Sequence, residues 1–321
     1  MEAGDCCLPV KAGLAPSCRK GKTMQSSASG VTPGTARITF RTAEPIHGMI
    51  YFTPHRAAAY AQVGITHQRM SYFASRSAAL GPVPAETVIA TFFNFSPAII
   101  RRAIPAAWDV ASPAQMLAAR LDAVDRSLRQ AWPDGIASPQ VREAAGLARQ
   151  AAERAVTRPE GRPLFAAHAS LPWPDAPHLV LWHALTLLRE YRGDGHVALL
   201  LSEGLDGLGA LITHAATGAI AAETLRTSRA WNEQEWAAGV ERLRDEGWLA
   251  DGPELVLSEA GQRRRQSVED RTDQLATGPY EAIGEDGCSR LRELTTPLSA
   301  AVMAADLDFP QALVAQYARA T

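Results

Sequence analysis

Apolar residues recur along this chain at helical spacing, and proline and glycine cut the pattern into short segments. The spacing predicts helices over about Pro54–Gly64 and Thr66–Ala79, a break at Leu80-Gly-Pro-Val-Pro84, and a third helix from about Ala85 through the apolar run Val88–Phe95. Three Ser-Pro pairs follow, each a cap residue with proline in the first turn. Ser96-Pro97 opens one helix, Ser112-Pro113 another to about Leu128, and Ser138-Pro139 a third to about Val156. A proline-rich crossover, Pro159 to Pro177, leads into the segment Leu179–Arg192, apolar on nearly every face and therefore expected to be buried. Gly193 and Gly195 predict a reversal there, with further helices at 195–204 and 206–217. Asn232 predicts the cap of a helix from Glu233 to about Glu246. Trp248–Ser258 predicts a short two-stranded wing turning at Asp251-Gly252, and a long helix follows from Glu259 to about Ala276.

This pattern gives a mainly α fold, a multi-helix N-terminal and central region with a C-terminal winged-helix module. The expected divisions are a tail at 1–35, a helical region at 36–110, a central region at 111–218, a winged-helix-like domain at 219–305 and a tail at 306–321. Tyr72–Pro97 and Trp182–Asp206 echo one another as helix, glycine turn, helix, which raises an internal repeat.

Composition narrows the picture modestly. A content of 46% hydrophobic and 21% charged residues in 321 suits a globular chain with a sizeable core. A net charge of −2 gives no global pull toward nucleic acid or an acidic membrane. No apolar run reaches a membrane span. Cys6, Cys7 and Cys18 lie in the expected tail and Cys288 is isolated, which fits neither a zinc site nor a disulfide framework and favours the reducing cytoplasm. The tail lacks a signal-peptide core, and Met24 is an alternative start. Nucleotide-binding glycine motifs, HExxH, GxSxG, and paired ExxH motifs of di-iron bundles are absent.

Two lines of polar residues stand out. His183, Thr186 and Glu190 share a face of the greasy central segment, which runs into Tyr191-Arg-Gly-Asp-Gly-His196. One reading makes Asp194 a helix cap, pairs Arg192 with Glu190 and leaves His196 a turn residue. The other makes His183 and His196 acid–base groups or ligands, their tautomers set by Glu190 and Asp194. Arg69, Tyr72 and Arg76 form a similar line near Asn94, an amide inside an apolar run that needs partners. They suit a carboxylate or phosphate ligand, or salt bridges to Glu86 or Asp109. His47 and Tyr51, four apart, give a weaker signal, and His55 and His67 are expected at the surface.

Three stretches, YFASRSAALGPVPAETVIATFFNFSP, LREYRGDGHVALL and RTSRAWNEQEWAAGVERLRDEGWL, resemble a largely uncharacterised, mostly actinobacterial family described as helix-turn-helix or winged-helix proteins. The likeness covers nearly all of residues 40–300. It implies a helical fold ending in a winged helix, with some members lying beside specialised-metabolite genes, and carries no activity. The order helix, EGWL, Asp-Gly turn, LVLSEAG, long helix also resembles the module of MarR-like regulators. That resemblance implies that the helix before the wing would enter the major groove of DNA. Residues 233–246 hold five acidic side chains against Arg242 and Arg244, which disfavours it.

The expectation is therefore a small-molecule-binding or small-molecule-transforming protein with its pocket between the first helical region and the central segment. Arg69, Arg76 and Arg192, with Tyr72, Asn94 and Tyr191, would meet an anionic or aromatic ligand, and Trp182, Phe92 and Phe95 would supply the apolar wall. No cofactor or metal is indicated. The alternative is a ligand-responsive MarR-like regulator acting as a homodimer on DNA.

Overall fold

The computed structural model describes residues 30–310. Cys6, Cys7, Cys18, Met24 and most of both expected tails lie outside the described residues. The helices are α1 (Pro33–Gly48), α2 (His55–Gln62), α3 (Gln68–Ser77), α4 (Ala85–Phe92), α5 (Pro97–Ala103), α6 (Ala106–Val110), α7 (Pro113–Ala131) and α8 (Pro139–Val156). They continue as α9 (Pro163–Ala169), α10 (Pro177–Ser202), α11 (Gly207–Ala215), α12 (Ala222–Ser228), α13 (Glu233–Asp245), α14 (Glu259–Leu275) and α15 (Gly284–Ala304). The fold is mainly α with a C-terminal winged-helix module.

Capping chemistry fixes many starts. Ser112 accepts from the Gln115 amide and Ser138 from that of Val141, each with proline in the first turn; Asn232 and Glu235 form a reciprocal capping box. Ser96 departs from this pattern. Pro97 occupies the first turn, but the Ser96 side chain makes no cap, and its amide donates to the Arg229 carbonyl at 2.9 Å.

The expected reversal at Gly193–Gly195 is absent, since α10 runs unbroken for 26 residues. Asp194 does cap a helix, but α9 rather than its own: its carboxylate accepts from the Phe165 amide at 2.9 Å. Gly195 lies 3.8 Å, measured from where a Cβ would stand, from Arg162 and Leu275, so α9 and α14 close over this part of α10. The loss of that reversal also removes the suggested repeat.

Two cores result. The larger draws on α1–α10 and on α15, which returns from the far end of the chain to pack along α1 and α8. The smaller joins the end of α10 (Leu199, Leu200) to α11, α13, Trp248, Leu257 and Val268. The expected two-stranded wing reduces to one antiparallel bridge, Leu249 with Leu257, supported by Ala250 N–H to the Val256 carbonyl at 3.1 Å. Pro253 has no amide to extend the ladder. Among the described residues no single helix is long and apolar enough to cross a membrane.

Candidate functional site

A half-open cavity of about 600 Å³ lies at the edge of the larger core beside the winged-helix module, walled by Phe40, Glu44, Tyr51, Tyr72, Phe95, Arg189, Arg229 and Phe309. Rings and guanidiniums dominate it. Tyr72 stands 5.5 Å from the Phe95 ring and 5.8 Å from that of Tyr51. Arg229 lies over Phe95 at 4.6 Å.

Behind this wall the helices hold a cluster of buried and half-buried charges. Arg76 on α3 packs 4.4 Å over Phe92, donates to the Tyr72 hydroxyl at 3.0 Å, and pairs with Glu190 at 3.5 Å. Arg189 bridges Glu44 at 2.9 Å and Glu190 at 3.2 Å. Burial works to raise Glu190, but Arg76, Arg189 and their neighbours outweigh it and hold the carboxyl below its ordinary range. Glu44 is raised, because desolvation there outweighs Arg189. Tyr72 falls below the usual phenol range despite burial, through Arg76, Arg229 and Arg189.

His47 lies at the centre, fully buried and stacked on Trp182 with ring centres 5.6 Å apart. Its tautomer follows from its neighbours. Thr186 donates its one hydroxyl proton to the Trp182 carbonyl at 2.9 Å, so it accepts from His47 Nδ1 at 3.0 Å. Nε2 then accepts from the Tyr51 hydroxyl at 3.1 Å. Desolvation and the surrounding arginines push His47 well below the usual imidazole value, which keeps it neutral. The relay ends on a backbone carbonyl, so it orients Tyr51 and has nowhere to pass a proton.

Of the residues singled out from sequence, Tyr72, Arg76 and Glu190 gather at this site, together with His47, Tyr51 and Thr186. Phe95 lines the cavity, Phe92 packs beneath Arg76, and Trp182 lies behind His47. The others go elsewhere. His183 and His196 are 13 residues apart on one continuous helix, about 20 Å along its axis, too far to act on one substrate. His183 packs edge-on to Trp173 at 4.8 Å, and burial pushes it down to about 4. His196 hydrogen-bonds Thr272 of α14 at 2.9 Å and is likewise pushed by burial to about 4. Asp194 caps α9 and is raised by burial to about 6. Tyr191 is covered by Arg162, 3.9 Å above its ring, and Arg192 pairs with Asp273 at 2.7 Å. Arg69 lies outside, reaching the Thr227 carbonyl at 3.5 Å in a separate groove of about 640 Å³. Asn94 contributes its backbone: its carbonyl accepts from Trp231 Nε1 at 3.0 Å.

Several members were not singled out. Arg120 lies on the buried stripe of α7 between Met116 and Val124, where an arginine is conspicuous. His168 on α9 is buried and pushed down to about 3 by desolvation. Arg189 adjoins Glu190 in sequence, while Arg229 sits in a turn that gave no signal. Among the described residues no His, Cys, Asp and Glu side chains gather in a group able to hold a metal ion.

The cavity meets the winged-helix module at one junction. The α12–α13 turn (229–232) packs on the α4–α5 turn through the Ser96–Arg229 and Trp231–Asn94 bonds. Phe93 and Ala230, one on each side, take left-handed φ values of 56° and 60°, a strain that non-glycine residues keep only where packing holds them. A Cβ on Gly207 would stand 1.9 Å from the Phe93 carbonyl oxygen, so only glycine admits this approach.

Against known families, residues 36–309 match the profile of a helix-turn-helix family. The chain belongs to that family. No curated protein and no solved structure matches it significantly.

Proposed function

We propose that this helix-turn-helix family member binds a small organic anion of aromatic character in the cavity between Tyr51, Tyr72, Phe95 and Arg229, with the winged helix serving mainly as a packed structural module. The observation that carries this reading is the surplus of arginine beside an aromatic cavity. Arg76, Arg120, Arg189 and Arg229 face only Glu44 and Glu190; of these arginines Arg120 is buried and has no carboxylate, and a buried charge left without a partner costs several kcal/mol. An anionic ligand would offset that cost, and the rings would hold its apolar part.

The winged-helix surface supports the same preference. Residues 207–275 carry eight arginines, no lysine and twelve carboxylates. Arg242 is held by Asp206 and Glu246, and Arg244 by Glu241 and the Gly252 carbonyl. A helix whose basic groups are already engaged, with Glu233, Glu235 and Glu241 exposed, repels phosphates. Native mass spectrometry of the purified protein should detect a retained organic anion that Arg229→Met loses. An empty protein that no aromatic acid stabilises would overturn the proposal.

A second reading, a ligand-responsive regulator of MarR type, is favoured by Arg229, which walls the cavity from within the turn that leads into α13. It requires a dimer and specific binding to DNA. Gel shifts against the DNA upstream of its own gene, at two salt concentrations, separate the two readings.

A further inference from the structure

Arg120 is the most anomalous side chain in the larger core. It is 3% exposed, and among the described residues its guanidinium forms no hydrogen bond or ion pair, Nε being fully enclosed. It rests between aromatic faces, 5.6 Å from the Tyr51 ring centre and 5.3 Å from that of Trp182. Such contacts recover only part of what a buried guanidinium loses on leaving water. Both nearby carboxylates are engaged, Glu44 by Arg189 and Glu190 by Arg76 and Arg189. Around Tyr51, three guanidiniums thus meet two carboxylates, an excess of one positive charge.

Tyr51 is what separates Arg120 from the cavity. Its ring lines the cavity and lies 5.6 Å from the guanidinium centre of Arg120, which is not a lining residue; Arg76 lies 5.7 Å from the same ring, and Arg189, itself in the wall, 5.4 Å. One hydrogen bond, to His47 Nε2, latches its hydroxyl. A single neutral hydrogen bond is a weak restraint.

We infer that Arg120 is the counter-ion for the ligand's acid group, that the ligand is an aromatic monocarboxylate, and that Tyr51 swings aside to admit the carboxylate. The inference rests on the cavity being a ligand site, as proposed above, and adds the ligand class and the charged anchor. A monocarboxylate pairs with Arg120, the one guanidinium of these three that has no carboxylate of its own. The planar guanidinium matches a carboxylate with two parallel hydrogen bonds.

Calorimetric titration of the full chain with benzoate and phenylacetate, each against its neutral amide, tests this. Wild type should favour the acids over the amides, and Arg120→Met should weaken the acids by about tenfold or more while leaving the amides unchanged. The unliganded Arg120→Met protein should melt no lower than wild type, because an uncompensated charge has been removed. Tyr51→Phe, which frees the latch, should tighten the acids severalfold and decides the matter if Arg120→Met does not fold. Equal acid binding by wild type and Arg120→Met, with weakening in Arg229→Met, would leave the cavity a ligand site and overturn the role of Arg120. Weaker acid binding by Tyr51→Phe would overturn the latch. If neither acid binds wild type, the ligand-site reading falls and this inference with it.

Discussion

In the winged-helix module seven arginines each reach a carboxylate: Arg226, Arg242, Arg244, Arg263 and Arg265 within it or at Asp206 on its edge, Arg264 and Arg271 at Glu203 beside it. Around the cavity, Arg120 and Arg229 reach none, and Arg120 is 3% exposed. The same residue type is thus self-satisfied where a nucleic acid would have to dock and unsatisfied where a small molecule would have to enter. Exposed pairs contribute little to stability and are cheap to make. An unpaired buried cation such as Arg120 is costly to keep, and this difference is what supports the proposal of an anion site beside the larger core.

Four experiments can break or sharpen this contrast, taken from the largest expected effect down. Acid should destabilise the helical interior. His168, His183 and His196 are lowered to about 3, about 4 and about 4, and His47 well below its ordinary value, all chiefly by burial. The unfolded chain takes up these protons below about pH 6.5 and the folded chain does not. Stability is therefore full above pH 6.5 and falls as pH drops toward 4. Asp194, raised to about 6, and Glu44, also raised, work in the opposite sense but are outnumbered by the four histidines. Unfolding free energies from urea titrations at pH 7.5 and 4.5 should differ by on the order of 5 kcal/mol; a flat profile would mean the histidines are hydrated.

Next, Glu190→Ala should cost about 3–5 kcal/mol in urea unfolding, because Arg76 and Arg189 would lose their shared carboxylate. Glu241→Ala, on the exposed face of α13, should cost less than about 1 kcal/mol. Equal costs would abolish the contrast. Gly207→Ala should cost about 1–3 kcal/mol by forcing apart the junction at Phe93, again read from urea unfolding. The smallest effect is expected with DNA. Fluorescence anisotropy with duplex DNA should show only binding weaker than about micromolar, vanishing as salt rises. Tight, sequence-dependent binding would restore the regulator to first place.

Much of the fold is legible in short-range chemistry. Ser112-Pro113, Ser138-Pro139 and Asn232 announce helix starts because the cap and its partner lie within one turn. Gly193 and Gly195 mislead because a glycine chosen for close packing between helices looks the same in sequence as one chosen for a turn. Asp194 misleads likewise, being a cap for a helix thirty residues away. α15 carries Pro297 within it and packs on α1, so its place depends on the opposite end of the chain. The site is legible only in part for the same reason. Tyr72, Arg76 and Glu190 stand on visible polar lines. His47 and Tyr51 have the spacing of a helical pair, and their weight comes from Thr186 and Trp182, about 140 residues on. Arg120 was readable as an arginine on an apolar stripe, but its lack of a partner is a property of the folded interior alone.

The most direct measurement compares affinities of wild-type protein for phenylacetate and phenylacetamide by calorimetry at low salt. Uncompensated guanidiniums at an aromatic cavity predict that the acid binds about tenfold or more tightly than the amide. Equal affinities, or no binding of either, would contradict the account.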